Sequence, residues 1–213
     1  MPAFLDDITP FYGTVEKNKK GETLEEFLHA YDPHHYEQPS VTADILVVKH
    51  PDPLNDVEQG LQLLMVKRSN HPSIGKWALP GGFVNIREDV QTAAARELEE
   101  ETGLSHLPLE QIHTWGDWKR DPRARIITVA HLALIKEDCA VRAGDDAADA
   151  CFFHLTCHLC NSKHEHGCLT ETYAFSLFNE ERNVHLSFKL QESSRTDSLL
   201  PQYKYHLLEN DGV

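Results

Sequence analysis

A run of glutamates at the end of a predicted helix constrains this chain more than any other feature of its sequence. Residues 82–104 read GFVNIREDVQTAAARELEEETGL, and the strong helix formers in that stretch predict a helix over 88–102 that ends at Gly103. Glutamates 99–101 then lie beside the negative end of the helix dipole, where cations are normally preferred. Because like charges repel on a helix surface, this cluster lowers stability unless positive charge lies against it.

Part of the acidic run lies on one face of the predicted helix. At 3.6 residues per turn, Glu97, Glu100 and Glu101 are neighbours in space. Carboxylate oxygens in this arrangement suit a hard divalent cation. A solvated acidic helix face is the alternative, and it is the commoner fate of a charge run. The charges and their helical spacing leave both interpretations open.

The spacing of the whole stretch matches a known pattern, the Nudix box. That pattern is Gly, five residues, Glu, seven residues, then Arg-Glu-apolar-any-Glu-Glu-any-Gly-apolar. The matching positions are Gly82, Glu88, Arg96, Glu97, Leu98, Glu100, Glu101, Gly103 and Leu104. The chain therefore resembles the Nudix hydrolases. The resemblance implies a fold of the α/β (α+β) class, an α/β/α sandwich with a mixed β-sheet.

The resemblance also implies roles for the matched side chains. Glu97 and Glu101 are expected to bind Mg²⁺ or Mn²⁺, and Glu100 is expected to share the ligand shell or to act as the base. The Gly82 carbonyl is expected to complete the shell. Arg96, a member of the catalytic set by its position in the box, is expected to orient these carboxylates through charge-assisted hydrogen bonds.

Four acidic residues have two open interpretations each. Glu88 either ligates the metal through water or interacts with the positive end of the helix dipole. Several Nudix pyrophosphatases recruit a base from a loop outside the box, and RAGDDAADACFF offers Asp145, Asp146 and Asp149 for that role. An acidic surface turn is the alternative for these three aspartates.

Substrate specificity is expected to reside outside the box, in the segment TWGDWKRDPRARI. Arg120, Arg123 and Arg125 are candidates to bind phosphate or carboxylate, and Trp115 and Trp118 are candidates to stack on a base. The alternatives are core packing for the tryptophans and a charged surface turn for the arginines.

A second resemblance covers residues 31–155 and includes YEQPSVTAD and KWALPGGFV. It is to the ADP-ribose pyrophosphatase-type Nudix domain, which also occurs in NAD-linked transcriptional regulators. It implies metal-dependent hydrolysis of a nucleoside diphosphate linked to another moiety, with ADP-ribose first and AMP and ribose 5-phosphate as products. NADH, nucleotide sugars, dinucleoside polyphosphates and oxidised deoxynucleoside triphosphates are the alternative substrates.

A catalytically silent, ADP-ribose-sensing regulator is the second class of function that this resemblance allows. Regulators of the subgroup carry a basic winged-helix module after the Nudix domain. The C-terminal region here lacks a basic recognition helix and has a hairpin pattern instead, and the glutamate set of the box is intact. The sequence therefore favours the enzyme.

The element pattern predicts three parts, an extension at 1–40, a Nudix core at 41–155 and a Cys/His-rich insertion with a hairpin at 156–213. In the extension, Thr23 and Glu26 predict a capping box at the start of a short helix. No closing helix is predicted after Ser193. Alternating apolar residues in ETYAFSLF and VHLSFKLQ predict the hairpin, and other strands are expected at 41–50, 61–68, 109–116, 125–135 and 151–155.

The Cys/His-rich insertion contains a possible zinc site. Cys157, Cys160, His164 and Cys168 follow a C-x2-C-x3-H-x3-C spacing, which provides four ligands of the kind that structural zinc requires. A polar, His-rich insertion with reduced thiols is the alternative.

Composition restricts the partners and the compartment. The formal net charge of −14 argues against nucleic acid or an anionic membrane surface as the main partner. The sequence contains neither a signal-peptide pattern nor an apolar run of about 18 residues, and its five cysteines are an odd count, so a cytoplasmic protein is expected. The resemblance further implies a homodimer.

Overall fold

The computed structural model describes residues 4–51, 60–136, 139–144, 147–195 and 202–211. The chain divides into two compact units, Met1–Pro39 and Ser40–Val213. The first contains a 3-10 helix at Thr9–Phe11 and helix α1 at Leu24–Ala30. The capping box predicted for α1 is confirmed, because Thr23 and Glu26 each accept a hydrogen bond from the other's backbone N–H.

The second unit is built on one mixed β-sheet. Along the sheet the described strands follow the order β10-β9-β8-β7-β2-β1-β6-β5, while β3 pairs with β2 and β4 pairs with β1. Strands β1 and β6 are parallel, and the other described pairs are antiparallel. The strands are β1 Ser40–Lys49, β2 Gln62–Arg68, β3 Trp77–Ala78, β4 Gly81–Phe83, β5 Glu110–Trp115, β6 Ile126–Ile135, β7 Ala147–Glu165, β8 Cys168–Asn179, β9 Val184–Arg195 and β10 Tyr203–Asp211.

The helix that carries the glutamates, α2, spans Val90–Thr102 and confirms the predicted helix to within two residues. Asp89 caps its start by accepting a hydrogen bond from the Gln91 N–H. Gly103 ends it in the left-handed conformation, with φ of 74°. Small side chains let α2 pack closely against one face of the sheet, where the buried cluster includes Ala93, Ala94, Leu98, Ile45, Val47 and Leu64.

A second hydrophobic core is formed by side chains of β7 together with side chains of β2, β3, β8 and β9. Trp77 meets Phe153 edge-on, with ring centroids 4.8 Å apart, and both side chains are buried. The sheet is strongly curled. This is shown by the rings of Trp115 and Tyr205, which belong to its two edge strands and lie only 6.3 Å apart. A flat sheet with seven strand spacings would separate those edges by about 34 Å.

The C-terminal part of the chain extends the sheet. Strands β8 and β9 pair antiparallel, as the alternating pattern predicted, and residues 203–211 add β10 beside β9. In the described residues of the second unit α2 is the helix that packs on the sheet, and a second helical layer is not seen. The fold is therefore a mixed α+β fold in which a four-stranded extension occupies the C-terminal part.

The predicted zinc site is wrong. Cys157, Cys160 and His164 lie along β7, and Cys168 pairs with Glu165 at the start of β8. Eight residues of extended strand separate Cys157 from Glu165, a distance of about 26 Å. The four side chains cannot surround one ion, because an extended strand places residues that are a few positions apart in sequence many ångströms apart in space.

Membrane insertion through a helix finds no support in the described part of the chain. None of its helices is long and apolar enough to cross a bilayer.

Candidate active site

A cavity of about 510 Å³ opens where the C-terminal half of α2 meets β1, β2 and β4. Its wall carries both signs of charge. The acidic side chains are Asp44, Glu97, Glu101 and Asp121, and the basic ones are Lys67, Arg68, Arg96, Arg120 and Arg123. Such a wall suits a ligand whose negative charge is neutralised partly by a cation and partly by guanidinium groups.

Arg96 holds the carboxylates of the box together. Its Nε donates to Glu88 Oε1 at 2.8 Å, and its Nη1 donates to Glu97 Oε1 at 2.7 Å and to Glu100 Oε2 at 2.8 Å. Its Nη2 donates to Glu88 Oε2 at 2.9 Å and to the Phe83 carbonyl at 3.0 Å. The guanidinium lowers the pKa of Glu88 to about 2, and the carboxylates raise the pKa of Arg96 in return. One positive group therefore offsets the repulsion that the sequence predicts.

Two glycines let the backbone approach these carboxylates. The Gly81 N–H donates to Glu101 Oε2 at 2.9 Å. A Cβ on Gly82 would lie 2.4 Å from Glu97 Oε2, and one on Gly81 would lie 2.3 Å from the Ala43 carbonyl. Neither position has room for a side chain, so the dipeptide fixes Glu97 and Glu101 at the edge of β4.

The donors in this corner fit a divalent cation by their chemistry. Glu97 and Glu101 provide carboxylate oxygens on the cavity wall, and Gly82, which carries a backbone carbonyl, lies against Glu97. In the described residues no three acidic, His or Cys side chains converge on one point, and Arg96 is hydrogen-bonded to Glu97, one of the two proposed ligands. An ion bound here therefore requires the glutamate side chains to turn toward it.

The predicted substrate-binding arginines separate into two groups. Arg120 and Arg123 line the cavity, where Arg120 donates to Thr128 Oγ1 at 3.0 Å and Arg123 forms a 2.8 Å salt bridge with Asp121. The Arg123 guanidinium also lies over the Phe83 ring, 5.2 Å from its centroid. Arg125 instead donates to the Gly116 carbonyl at 2.6 Å and is not part of the cavity wall.

The two predicted stacking tryptophans do not line the cavity. Trp115 is 40% exposed and packs against His113, at a centroid distance of 4.3 Å. Trp118 is 69% exposed, and Lys119 Nζ lies 5.2 Å from the centroid of its indole ring. The aromatic ring on the cavity wall is Phe83, which is 44% exposed.

Three of the remaining acidic candidates, Glu88, Glu100 and Asp149, do not line the cavity. Glu88 and Glu100 interact with Arg96, and the side chain of Glu100 is 57% exposed. Asp149 forms a 2.9 Å salt bridge with Arg182, which lowers its pKa. Asp145 and Asp146 lie outside the described residues.

Sequence reasoning missed Asp44 and Arg68, which both line the cavity. Burial raises the pKa of Asp44 to about 6, and the positive charges of Arg120 and Arg68 act in the opposite direction. A carboxylate within the apolar strand VTADILVV was the available indication, because a charged residue at a partly buried strand position requires a reason.

Comparison with known proteins gives a family and two named relatives. Residues 53–166, more than half of the chain, match the family model of the NUDIX domain. The chain is 41% identical over 112 residues to the ADPR responsive transcriptional repressor NtrR of Acinetobacter baylyi. The aligned region covers 51% of this chain and 42% of that protein. It is 38% identical over 99 residues to the ADP-ribose pyrophosphatase of Methanocaldococcus jannaschii. The aligned region covers 46% of this chain and 58% of that enzyme. The chain thus matches about half the length of these relatives.

A solved structure with a ligand is also similar. It is the NUDIX domain of Shewanella oneidensis NrtR complexed with ADP ribose, at 32% identity and a TM-score of 0.55. The similarity covers 62% of this chain and 84% of that domain.

Proposed function

The chain belongs to the NUDIX domain family, and on that premise we propose that it is a divalent-metal-dependent pyrophosphohydrolase with ADP-ribose as first-choice substrate. Hydrolysis of the diphosphate bridge gives AMP and ribose 5-phosphate. The single observation that carries the proposal is one cavity lined both by glutamates of α2 and by the guanidinium groups of Arg120 and Arg123. A diphosphate needs both kinds of group, because a metal and arginines can share its charge.

Bound Mg²⁺ or Mn²⁺ supplies charge neutralisation of the diphosphate, an activated water and a stabilised leaving group. In our proposal Glu97, Glu101 and the Gly82 carbonyl hold the ion at the end of α2. Glu100 shares that shell or accepts the proton of the attacking water. Its exposure of 57% leaves it accessible to solvent.

The basic residues bind and orient the substrate in this proposal. Arg120 and Arg123, which line the same cavity as Glu97 and Glu101, bind the phosphate oxygens. Phe83, whose ring also carries the Arg123 guanidinium over it, offers its exposed part on the wall to a base or sugar. In this proposal Arg96 acts indirectly, because its hydrogen bonds to Glu88, Glu97 and Glu100 fix the carboxylate positions.

ADP-ribose is the first choice because it is named for two of the similar proteins. One relative is an ADP-ribose pyrophosphatase, and the ligand in the similar NrtR domain is ADP ribose. NADH, nucleotide sugars, dinucleoside polyphosphates and oxidised deoxynucleoside triphosphates are the competing substrates. Cytoplasmic location and homodimerisation remain predictions.

A sensor of ADP-ribose is the second candidate. The observation that favours it is the similarity to an ADPR responsive repressor. In that case the cavity binds the ligand without turnover. The intact glutamate set, which a sensor does not need, favours the enzyme.

The decisive experiment is product release from a substrate panel in the presence of Mg²⁺. The panel contains ADP-ribose, NADH, a nucleotide sugar, a dinucleoside tetraphosphate and an oxidised deoxynucleoside triphosphate. We expect AMP from ADP-ribose at the highest kcat/KM, and a fall of about 10³-fold in the Glu101→Gln variant. Glu99→Gln is the matched control, because Glu99 is an exposed glutamate of the same helix turn that does not line the cavity.

Each result separates the candidates. Turnover of another panel member would keep the mechanism and discard ADP-ribose. Tight binding of ADP-ribose in calorimetry without turnover of any substrate would favour the sensor. Full activity of Glu101→Gln would contradict the proposed mechanism.

A further inference from the structure

One charged side chain on the cavity wall has no role in the proposed mechanism. Asp44 lies in the middle of β1, between the buried residues Ala43 and Ile45, whose side chains pack on the α2 side of the sheet. Because side chains alternate along a strand, Asp44 points to the opposite face, where the cavity lies. Its position on a central strand makes it rigid.

Within the described parts of the chain, the Asp44 carboxylate has no hydrogen-bonding partner. Among the described residues, no hydrogen bond or salt bridge to its oxygens is found. Arg120 and Arg68 are near enough to favour its charged form but not to pair with it. A half-buried carboxylate without a partner carries a desolvation cost, which a ligand with suitable donors would offset.

The position of Asp44 relative to the glutamates limits what that ligand group can be. Asp44 pairs with Gly81 across β1 and β4, and the next pair along the ladder is Ala43 with Gly82. Gly82 contacts Glu97, so Asp44 is one strand position from the proposed site of cleavage. The group it meets is therefore attached directly to the diphosphate.

The chemistry of that group follows from the acceptor. Phosphate oxygens are themselves acceptors and are repelled by a carboxylate. The sugar next to the diphosphate has two adjacent hydroxyls, and these can donate to the two carboxylate oxygens. Carboxylates recognise ribose hydroxyls in this way in dinucleotide-binding folds.

We propose that Asp44 is a specificity residue that accepts hydrogen bonds from the vicinal hydroxyls of a ribose joined to the diphosphate. This inference rests on the proposed function, because it takes the diphosphate to lie between α2 and the arginines. It predicts that the cavity selects for a ribosyl group beside the cleaved bond. It also predicts that the carboxylate contributes to binding and not to metal retention.

The test compares Asp44→Asn and Asp44→Ala with the wild-type chain on three substrates. These are ADP-ribose, an analogue that lacks both hydroxyls on the adenosine ribose, and an analogue that lacks them on the other ribose. We expect kcat/KM for ADP-ribose to fall about 10–100-fold, mainly through KM, since each bond to a charged acceptor is strong. For one of the two analogues, the one that lacks the hydroxyls that Asp44 binds, the variants and the wild type should have equal kcat/KM.

Glu165→Gln is the control for removal of one negative charge. Glu165 is 56% exposed and pairs with Lys163 at the far end of β7. We expect it to leave all three kcat/KM values unchanged. The concentration of Mg²⁺ for half-maximal activity should also be the same in wild type and Asp44→Asn.

Three outcomes would overturn the inference. In the first, both analogues show the same penalty as ADP-ribose. In the second, the Mg²⁺ requirement rises several-fold in Asp44→Asn, which would make Asp44 a metal ligand. In the third, the variants match the wild type on ADP-ribose.

The inference can fail separately from the proposed function. If the wild-type chain binds ADP-ribose without hydrolysing it, the same comparison is made with dissociation constants from calorimetry. A 10–100-fold weaker Kd in the variants, absent for one analogue, would support ribose recognition in a sensor. Absence of any ADP-ribose binding by the wild type would overturn this inference and the choice of ADP-ribose, while turnover of another panel member would still support the hydrolytic mechanism.

Discussion

Gly82 and Glu97 are in such close contact that a single methyl group on Gly82 would lie 2.4 Å from Glu97 Oε2. The contact holds the Glu97 carboxylate against Gly82, at the corner where a cation is proposed to bind. The Gly82→Ala variant should therefore displace Glu97 and reduce kcat/KM at least about 100-fold, because a shift of about 1 Å at a reacting centre has that effect. Activity measured over a Mg²⁺ titration checks this prediction.

Gly13→Ala provides the matched control, since a Cβ there would meet nothing closer than 3.8 Å. Circular dichroism should show both variants folded. A Gly82→Ala variant with normal activity would mean that Glu97 does not act from its observed position.

Replacement of Arg96 by lysine should reduce activity while the helix remains. A single ammonium cannot bridge Glu88, Glu97 and Glu100 as the guanidinium does. We expect a loss of about 10–100-fold in kcat/KM, of the size seen when residues that orient metal ligands are changed. Arg182→Lys, at a salt bridge outside the cavity, should be neutral, and equal losses in both variants would point to a general effect on stability.

The pair formed by Glu88 and Arg96 should make stability depend on pH in the acid range. The pKa of Glu88 falls from 4.5 to about 2 in the folded chain, so the unfolded chain binds a proton more readily between those values. The stability that the pair contributes is present above pH 4.5 and is lost as the pH falls toward 2. Thermal unfolding of wild type and Glu88→Gln should differ at pH 7 and converge below about pH 3. A constant difference across that range would contradict the prediction.

Asp44→Asn should make the ligand-free protein more stable at neutral pH. The pKa of Asp44 rises from 3.8 to about 6 in the folded chain because of burial, so the folded state binds the proton more tightly. Its contribution to stability is present below the unfolded pKa and is lost as the pH rises through 6. Urea unfolding should give the variant an advantage of about 1–3 kcal/mol at pH 7.5 and much less at pH 4. A variant less stable than wild type at pH 7.5 would show that the charge has a structural partner.

Local patterns predicted much of the fold, and each success has a local cause. The caps of α2, the capping box at Thr23 and the alternation in β8 and β9 depend on residues within a few positions of one another. The Nudix box belongs to the same class, because it is a fixed spacing on one loop and one helix. Predictions of this kind need no knowledge of how distant strands pair.

Local patterns did not predict the placement of residues that are distant in sequence or that a strand holds apart. The predicted zinc ligands follow a plausible spacing, but β7 extends them along its length. Trp115 and Trp118 lie outside the cavity, whereas Asp44 and Arg68 line it. Successive side chains of a strand point to opposite faces of the sheet. A prediction that misplaces a strand residue by one position therefore assigns its side chain to the wrong face.

The sequence by itself determined the acidic helix, its terminating glycine and the alternating strands that follow, because these arise from interactions between near neighbours. Only the tertiary structure decided which groups meet the acidic helix. Strand register and sheet curvature place Asp44 and Arg68 beside the α2 carboxylates, and they bring Trp115 to Tyr205 across the two edges of the sheet. Those contacts depend on burial and pairing over the whole second unit, which no local pattern encodes.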